Sequence, residues 1–246
     1  MHPGCRKLVH NTIFTIAAEV AIVPADDIYI GTRPPRSLLL VNSVTLRSNI
    51  HSVCHSDGKC YVGCIGSIVV IDGGNRTIRT WKKLPNEIVY GIDVYNDRVY
   101  ALVRKEEGVF KVCVFDQSGL KIHEWIHSDI CNKANILVVV SNMVVVPNRQ
   151  YRRLTVYSLD GVVIKYLLSG LSLESVVPLC KFGSDSLIVV SASRVLRVNI
   201  LTNAVVWTFT SVHVTPRRVA MYGGIYAIVL SNCSDTSWVV DAMTGE

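Results

Sequence analysis

A nine-residue segment recurs along the chain at nearly constant spacing, and this repeat limits the possible folds more than any other feature. Residues 114–122 align with 156–164 and 198–206 at shifts of 42 residues, and with 70–78 at a shift of 44. A third forward shift of 42 reaches 240–246. Every copy reads as an apolar strand, a polar turn and the start of another strand. The turn position holds only glycine or asparagine, which tolerate the positive φ of a tight hairpin: Asn75, Gly119, Gly161, Asn203 and Gly245.

A second series of turn sequences precedes the first, and each of its members is followed by a short apolar strand. One repeat therefore contains four strands, a to d, with the a–b turn in this second series and the c–d turn in the first. Four antiparallel strands in about 42 residues is the size of one blade of a β-propeller. The a–b turns are Asp26-Asp27, Asp57-Gly58, Asn96-Asp97, Ser141-Asn142, Ser184-Asp185 and Gly223-Gly224.

The repeats predict an all-β, single-domain fold, a six-bladed β-propeller of four-stranded antiparallel blades. We expect the blades near residues 17–48, 49–83, 88–127, 133–168, 175–209 and 216–246. The sixth repeat reaches Glu246 without a fourth strand. We expect residues 8–16 to supply it, so that the N-terminal strand closes the last blade and no sheet edge is left open. The alternative is that the sequence is a fragment of a longer protein.

Composition restricts the class of protein and agrees with a strand-rich fold. Half of the residues are hydrophobic and 18% are charged, which excludes a disordered chain. The 25 Lys and Arg residues exceed the 19 Asp and Glu residues by 25 − 19 = 6. This mildly basic balance permits an anionic partner without requiring one.

The eight cysteines indicate a reducing compartment, and we expect the protein to be cytoplasmic. They are spread along the chain, several of them within apolar runs, as buried thiols usually are. A signal peptide at residues 12–24 is the alternative, although Glu19 interrupts that apolar run. No stretch reaches the roughly 18 uninterrupted apolar residues of a membrane helix.

Two kinds of known propeller repeat resemble parts of this chain. The third and fourth repeats resemble NHL-type repeats, in which a Val-Tyr strand b precedes Val-Phe-Asp-x-x-Gly. The last two repeats resemble quinoprotein-like repeats. The resemblance implies a propeller, a fold that carries many functions, and so names none of them. The matching segments are Val99-Tyr100, Val114-Phe115-Asp116-Gln117-Ser118-Gly119, Thr202-Asn203-Ala204-Val205-Val206-Trp207 and Asp241-Ala242-Met243-Thr244-Gly245.

One sequence motif could indicate catalysis, but its expected position argues against it. Residues 123–127 match the H-E-x-x-H pattern of zinc proteases, which requires a helix. The repeat places them on strand d, where His123 and His127 would lie about 13 Å apart, too far for one zinc ion. Glu19 and Asp93 are the carboxylates expected near a central channel wall. We therefore expect no catalytic residue, no metal and no cofactor.

A second group of potential metal ligands lies in the second repeat. Zinc sites usually contain paired C-x₂-C spacings on turns, and this group has none. We interpret it as packed thiols and histidines: His51, Cys54, His55, Cys60 and Cys64.

Basic residues are concentrated in the predicted b–c loops, which share one face of a propeller with the d–a loops, as the resemblance implies. A one-sided basic face would attract phosphates or acidic peptides. Glu106 and Glu107 are the acidic residues in these loops, and Tyr151 is the main aromatic residue that could stack on a base. The predicted partner-binding residues are Arg33, Arg36, Arg104, Lys105, Arg149, Arg152, Arg153 and Arg194.

These observations predict a non-catalytic binding scaffold that recognises a partner through this loop face. A protein or peptide is the first expectation and RNA the second, whereas sequence-specific DNA binding is not expected. The alternative is an enzyme built on a propeller, either a quinone- or metal-dependent oxidoreductase or a hydrolase. Nothing in the sequence identifies the partner or the oligomeric state.

Overall fold

A computed structural model of the chain describes residues 6–9, 19–21, 43–45, 49–72, 77–105, 108–126, 136–148, 150–169, 179–191, 194–210, 216–222, 226–231 and 236–245. Within these residues every regular element is a β-strand, and the strand pairings of the four- and six-stranded sheets are antiparallel, which confirms the all-β class. Most of the expected first blade, residues 17–48, lies outside the described residues.

Twenty strands are described. The first ten are β1 (Arg6–Val9), β2 (Glu19–Ala21), β3 (Ser43–Thr45), β4 (Ile50–Ser56), β5 (Lys59–Asp72), β6 (Thr77–Tyr95), β7 (Arg98–Lys105), β8 (Phe110–Phe115), β9 (Lys121–Trp125) and β10 (Val138–Val140). The others are β11 (Met143–Asn148), β12 (Arg153–Ser158), β13 (Val163–Leu167), β14 (Leu179–Phe182), β15 (Ser186–Ser191), β16 (Arg194–Asn199), β17 (Ala204–Thr210), β18 (Pro216–Tyr222), β19 (Tyr226–Ser231) and β20 (Thr236–Asp241).

The chain divides into two compact units. The central unit comprises residues 15–20 and 44–171, and the C-terminal unit comprises 1–14, 21–43 and 172–246. Strands β2 and β3 form a separate two-stranded sheet.

The central unit contains one six-stranded and one four-stranded sheet. Strands β10 to β13 pair in chain order, as expected for one blade, and β4 to β9 also pair in chain order. The six-stranded sheet arises because β6 is 19 residues long and pairs first with β5 and then with β7. The expected blade boundary at 83–88 is therefore not a break in the strand. The chain stays extended there although Asn86 has a φ of 60°.

The C-terminal unit contains two four-stranded sheets. Strands β14 to β17 pair in chain order, and the other sheet has the order β1-β20-β19-β18. In this second sheet Arg6 lies opposite Val239 and Val9 lies opposite Thr236. The strand beside β20 thus comes from the N-terminal part of the chain, at 6–9 rather than the expected 8–16. Closure of a six-bladed ring by this strand stays a prediction.

The turn residues have the backbone conformation that their sequence predicts. Gly119, Gly161, Asn203 and Gly245 have φ values of 87°, 86°, 61° and 82°, whereas Asn75 lies outside the described residues. The a–b turns Asp57-Gly58, Asn96-Asp97 and Ser141-Asn142 also have positive φ at both residues. These hairpins fix the register of the strands that flank them.

Valine-rich strands without alternation form the cores. Every residue of β8, β11 and β15 is buried, as strands covered on both faces require. Residues 99–103 of β7, expected to be buried on both faces, are also buried. In the central unit one cluster joins β7 and β8 to β10, β11 and β12 through Leu102, Phe110, Val139, Val146 and Tyr157.

Candidate partner-binding surface

Five of the eight predicted partner-binding residues lie within the described part of the chain, each at the b–c end of its sheet, the end where strands b and c connect. Arg33, Arg36 and Arg149 lie outside the described residues. In the central unit Arg104 and Lys105 end β7, Arg152 precedes β12 and Arg153 begins it. In the C-terminal unit Arg194 begins β16, opposite Ser191 of β15.

Arg104 is held by aromatic side chains of the six-stranded sheet. Its Nη1 donates a 3.4 Å hydrogen bond to the hydroxyl of Tyr90, and its guanidinium lies 5.8 Å from the ring centre of Phe110. The Tyr90 ring also contacts the His51 ring, with centres 5.0 Å apart. Burial lowers the pKa of His51, which favours the neutral form of its ring. Arg104 is half-buried, whereas Lys105 is exposed.

Arg153 is stacked between two tyrosines in the β10–β13 sheet. Its guanidinium carbon lies 3.4 Å from the ring centre of Tyr166 and 4.8 Å from that of Tyr151. The backbone N–H of Tyr151 donates a 3.1 Å hydrogen bond to Oδ1 of Asn148, which fixes the turn between β11 and β12. Arg152 is exposed and has a φ of 52°. Arg153 and the two tyrosines thus form one surface at this b–c end, and the exposed Arg152 precedes Arg153 in the chain.

The sequence reasoning missed two residues at these surfaces. Tyr90 comes from β6 and Tyr166 from β13. Neither is in a b–c loop. The sequence signal for such residues is a tyrosine or arginine on a strand next to a b–c loop. This signal is weak unless the register of the strands is known.

Asp93 is one of the two carboxylates expected near a channel wall. Its side chain is buried, and its carboxylate accepts three hydrogen bonds. Its Oδ2 accepts a 2.7 Å bond from the Val139 N–H, and its Oδ1 accepts from the Val94 N–H at 2.9 Å and from the Cys54 thiol at 3.2 Å. These bonds link β4, β6 and β10 within the central unit. The side chain of Glu19 lies outside what the structure describes. The role that the geometry gives Asp93 is to join strands.

The first three residues of the H-E-x-x-H sequence, 123–125, lie on the extended strand β9, as predicted. In β9 the Nε2 of His123 contacts the carbonyl of Asp160 at 3.2 Å, and Glu124 binds Lys121 and Lys111 at 2.7 and 3.2 Å. His127 is not described. Across the described ranges no group of three or more His, Cys, Asp or Glu residues could hold a metal ion.

The cysteines that the structure describes are free thiols, and burial makes three of them poor nucleophiles. Burial raises the pKa of Cys60, and it raises the pKa of both Cys113 and Cys180 to about 12. A thiol reacts through its thiolate, so none of these three is activated. No helix in the described part of the chain is long and apolar enough to cross a membrane.

Solved structures resemble this chain in fold. They include the WD40 β-propeller domain of Doa1, with 14% identity, a TM-score of 0.63 and coverage of 82% of this chain and 68% of that one. The β-propeller domain of Cps50 (Swd1) from Myceliophteria thermophila has 8% identity, a TM-score of 0.61 and coverage of 82% and 72%. A chain of the Mitotic Checkpoint Complex has 12% identity, a TM-score of 0.62 and coverage of 80% and 64%.

The fold is therefore that of a β-propeller, as the repeat predicted. No family model and no curated protein matches the sequence. At identities of 8–14% the likeness concerns the fold alone. The six-blade count and the NHL-type and quinoprotein-like features stay predictions.

Proposed function

We propose that the chain is a non-catalytic, protein-binding β-propeller that holds an acidic partner segment at its b–c end. The observation that carries the proposal is the placement of Arg104, Lys105, Arg152 and Arg153 at this end of the central unit. Glu87, which pairs with Lys105 in register, is already bound 2.8 Å from the buried Lys111. Glu87 is therefore balanced by Lys111, and the described cations at this end outnumber the described carboxylates Glu87 and Glu124, which suits an acidic segment; Glu106 and Glu107 lie outside the described residues.

The turns at the opposite end of the central unit contain carboxylates, which supports the preference of an acidic partner for the b–c end. Asp57, Asp97, Asp116 and Asp160 lie in the a–b and c–d turns, and the basic residues Lys59, Arg98 and Lys121 begin the strands beside them. Binding through loops at one end of a rigid scaffold is a common use of β-folds. One of the structural neighbours is a chain of a complex, the Mitotic Checkpoint Complex.

Fluorescence anisotropy of purified protein tests the proposal. The probes are a labelled Glu-Gly-Ser peptide, the same peptide with Gln for every Glu, and a single-stranded RNA. We expect the Glu peptide to bind, the Gln peptide not to bind, and the affinity to fall as salt is added. The triple variant Arg104→Glu, Lys105→Glu, Arg152→Glu should abolish binding.

A matched variant distinguishes this site from general basicity. Lys59→Glu, Arg79→Glu, Arg98→Glu makes the same charge change outside the b–c end and should retain most of the binding. Equal losses in both triple variants, or no binding of the Glu peptide by the wild type at low salt, would overturn the proposal. Binding of RNA alone would favour the RNA alternative. A metal or quinone at one per chain, measured by elemental analysis and absorbance, would favour the enzyme.

A further inference from the structure

Tyr151, Arg152, Arg153 and Tyr166 lie together at the b–c end of the β10–β13 sheet, and we call them the tyrosine–arginine patch. We infer that this patch is the main contact for an extended acidic peptide segment. The inference rests on the proposed function and narrows it to one sheet, one set of side chains and one class of partner.

The patch combines exposed aromatic surface with an ordered positive charge. Tyr151 is 53% exposed and Tyr166 is 39% exposed, although both contact the Arg153 guanidinium. Tyrosine and arginine are the residue types that most often dominate binding energy at protein interfaces. A guanidinium held against rings loses less conformational entropy when it binds than a mobile side chain does. The patch is thus prepared for a partner.

Local charge favours an acidic partner. Residues 136–169 contain four basic residues, Arg149, Arg152, Arg153 and Lys165, and one acidic residue, Asp160. Asp160 lies in the c–d turn, at the opposite end of the sheet from the patch. A neutral or basic segment would gain nothing from this surplus, whereas each carboxylate of an acidic segment would be attracted.

The stacking geometry favours a peptide carboxylate over an RNA base. At 3.4 Å the Arg153 guanidinium is in van der Waals contact with the Tyr166 ring and covers that face of it. A nucleic acid base could not stack on the covered face. A guanidinium that stacks on an aromatic face presents its N–H groups in its own plane, which suits a carboxylate fork.

The six-stranded sheet does not provide an equivalent patch, which explains why one sheet is favoured. Lys111 occupies the position that a 42-residue shift aligns with Arg153. It is buried and forms ion pairs with Glu87 at 2.8 Å and Glu124 at 3.2 Å. The charge of Lys111 is therefore balanced by two carboxylates within the sheet. Arg153, by contrast, lies against the exposed rings of Tyr151 and Tyr166.

The test measures affinity for the same Glu peptide with variants that separate ring, charge and fold. Arg153→Lys keeps the charge and loses the flat stack, and Tyr166→Leu removes the ring. Each should weaken binding about tenfold, the effect of losing roughly 1.4 kcal/mol. Tyr166→Phe retains the ring and should bind like the wild type. Arg152→Gln changes an exposed side chain and should also weaken binding. This variant tests the patch even if Tyr166→Leu impairs folding.

The control is Arg79→Gln, an exposed arginine on the first part of β6, which should leave the affinity unchanged. If the wild type binds the Glu peptide and Arg153→Lys, Tyr166→Leu and Arg152→Gln bind equally well, the inference is overturned and the proposed function survives. If the wild type binds no acidic peptide, both fail. If these variants weaken RNA binding and leave peptide binding intact, the occupant is RNA and the inference is wrong.

Discussion

The indole N–H of Trp207 donates a 3.0 Å hydrogen bond to the carbonyl of Ala242, and the ring lies so close to Gly245 that a Cβ there would be 2.8 Å from Cδ2. Trp207 is on strand d of its repeat, and Gly245 is in the c–d turn of the next repeat. The positive φ and the ring that covers the turn both favour glycine at 245. In the central unit the Trp125 ring covers Gly161 as closely, whereas an added Cβ on Gly119 would be in ordinary contact with the Trp81 ring, 3.6 Å from Cε2.

Gly161→Ala should destabilise the protein more than the turn conformation alone explains. The left-handed backbone costs an alanine about 1–2 kcal/mol. The new Cβ would also collide with Cγ and Cδ2 of Trp125, and such overpacking costs a further 1–3 kcal/mol or so. Urea denaturation followed by tryptophan fluorescence measures the total.

Gly58→Ala is the matched control, because Gly58 has a φ of 69° and an added Cβ would meet nothing within 4 Å. It should show only the backbone cost. If the two variants lose equal stability, the contact between Trp125 and Gly161 is not a packing constraint.

The turns could be predicted from the sequence, whereas strand continuity could not. A turn of positive φ depends on its own residues, and Gly119, Gly161 and Asn203 show this locally. The length of β6 depends on how 77–83 and 87–95 pair with different neighbours. The repeat spacing predicted a blade boundary at 83–88, but β6 runs through it, with Asn86 at a φ of 60°.

The position of the basic residues at the b–c ends could be predicted, because the repeat itself defines these loops. The aromatic side chains that contact the arginines could not be predicted. Arg152 and Arg153 belong to the loop that the repeat defines. Tyr166 reaches Arg153 from β13, and the register there shifts between Val156 and Tyr157. A one-residue shift changes which face a side chain occupies, so repeat spacing alone could not place this ring.

Asp93→Ala should destabilise the central unit, because it removes the acceptor for the Val139 N–H in a buried position. An unsatisfied buried donor costs about 1–3 kcal/mol, and the Cys54 and Val94 bonds are lost as well. Asp93→Asn retains one oxygen acceptor and should lose less. Denaturant midpoints of the two variants check this order. Equal stability of Asp93→Ala and the wild type would contradict the role of Asp93 in joining strands.

The ion-pair group around Glu124 should make stability depend on acid pH. Hydrogen bonds from Lys121 and Lys111 lower the pKa of Glu124 from 4.5 to about 2. Its carboxylate therefore stabilises the folded state above the unfolded pKa near 4.5, and this stabilisation disappears as pH falls towards 2. The free energy of unfolding should fall over this range. The effect is modest, because the side chain is 41% exposed and solvent screens it.

Glu124→Gln isolates this contribution. The variant should be less stable than the wild type at pH 6, and the difference should shrink as pH falls through the range where Glu124 becomes protonated. Urea unfolding at a series of pH values measures the difference. A gap that stays constant down to the acid limit would show that Glu124 acts through packing rather than charge.

Removal of the N-terminal strand tests ring closure. Strand β1 covers the edge of β20, with Lys7 opposite Trp238 and Leu8 opposite Ser237. Deletion of residues 1–9 should expose that edge, which invites pairing between molecules. We expect a lower melting temperature and higher-order species in size-exclusion chromatography. Deletion of residues 1–5 leaves β1 in place and should change neither. If the protein lacking residues 1–9 stays monomeric and keeps the wild-type melting temperature, closure by β1 is contradicted. Loss of β1 would then neither destabilise the fold nor expose an edge that pairs with other molecules.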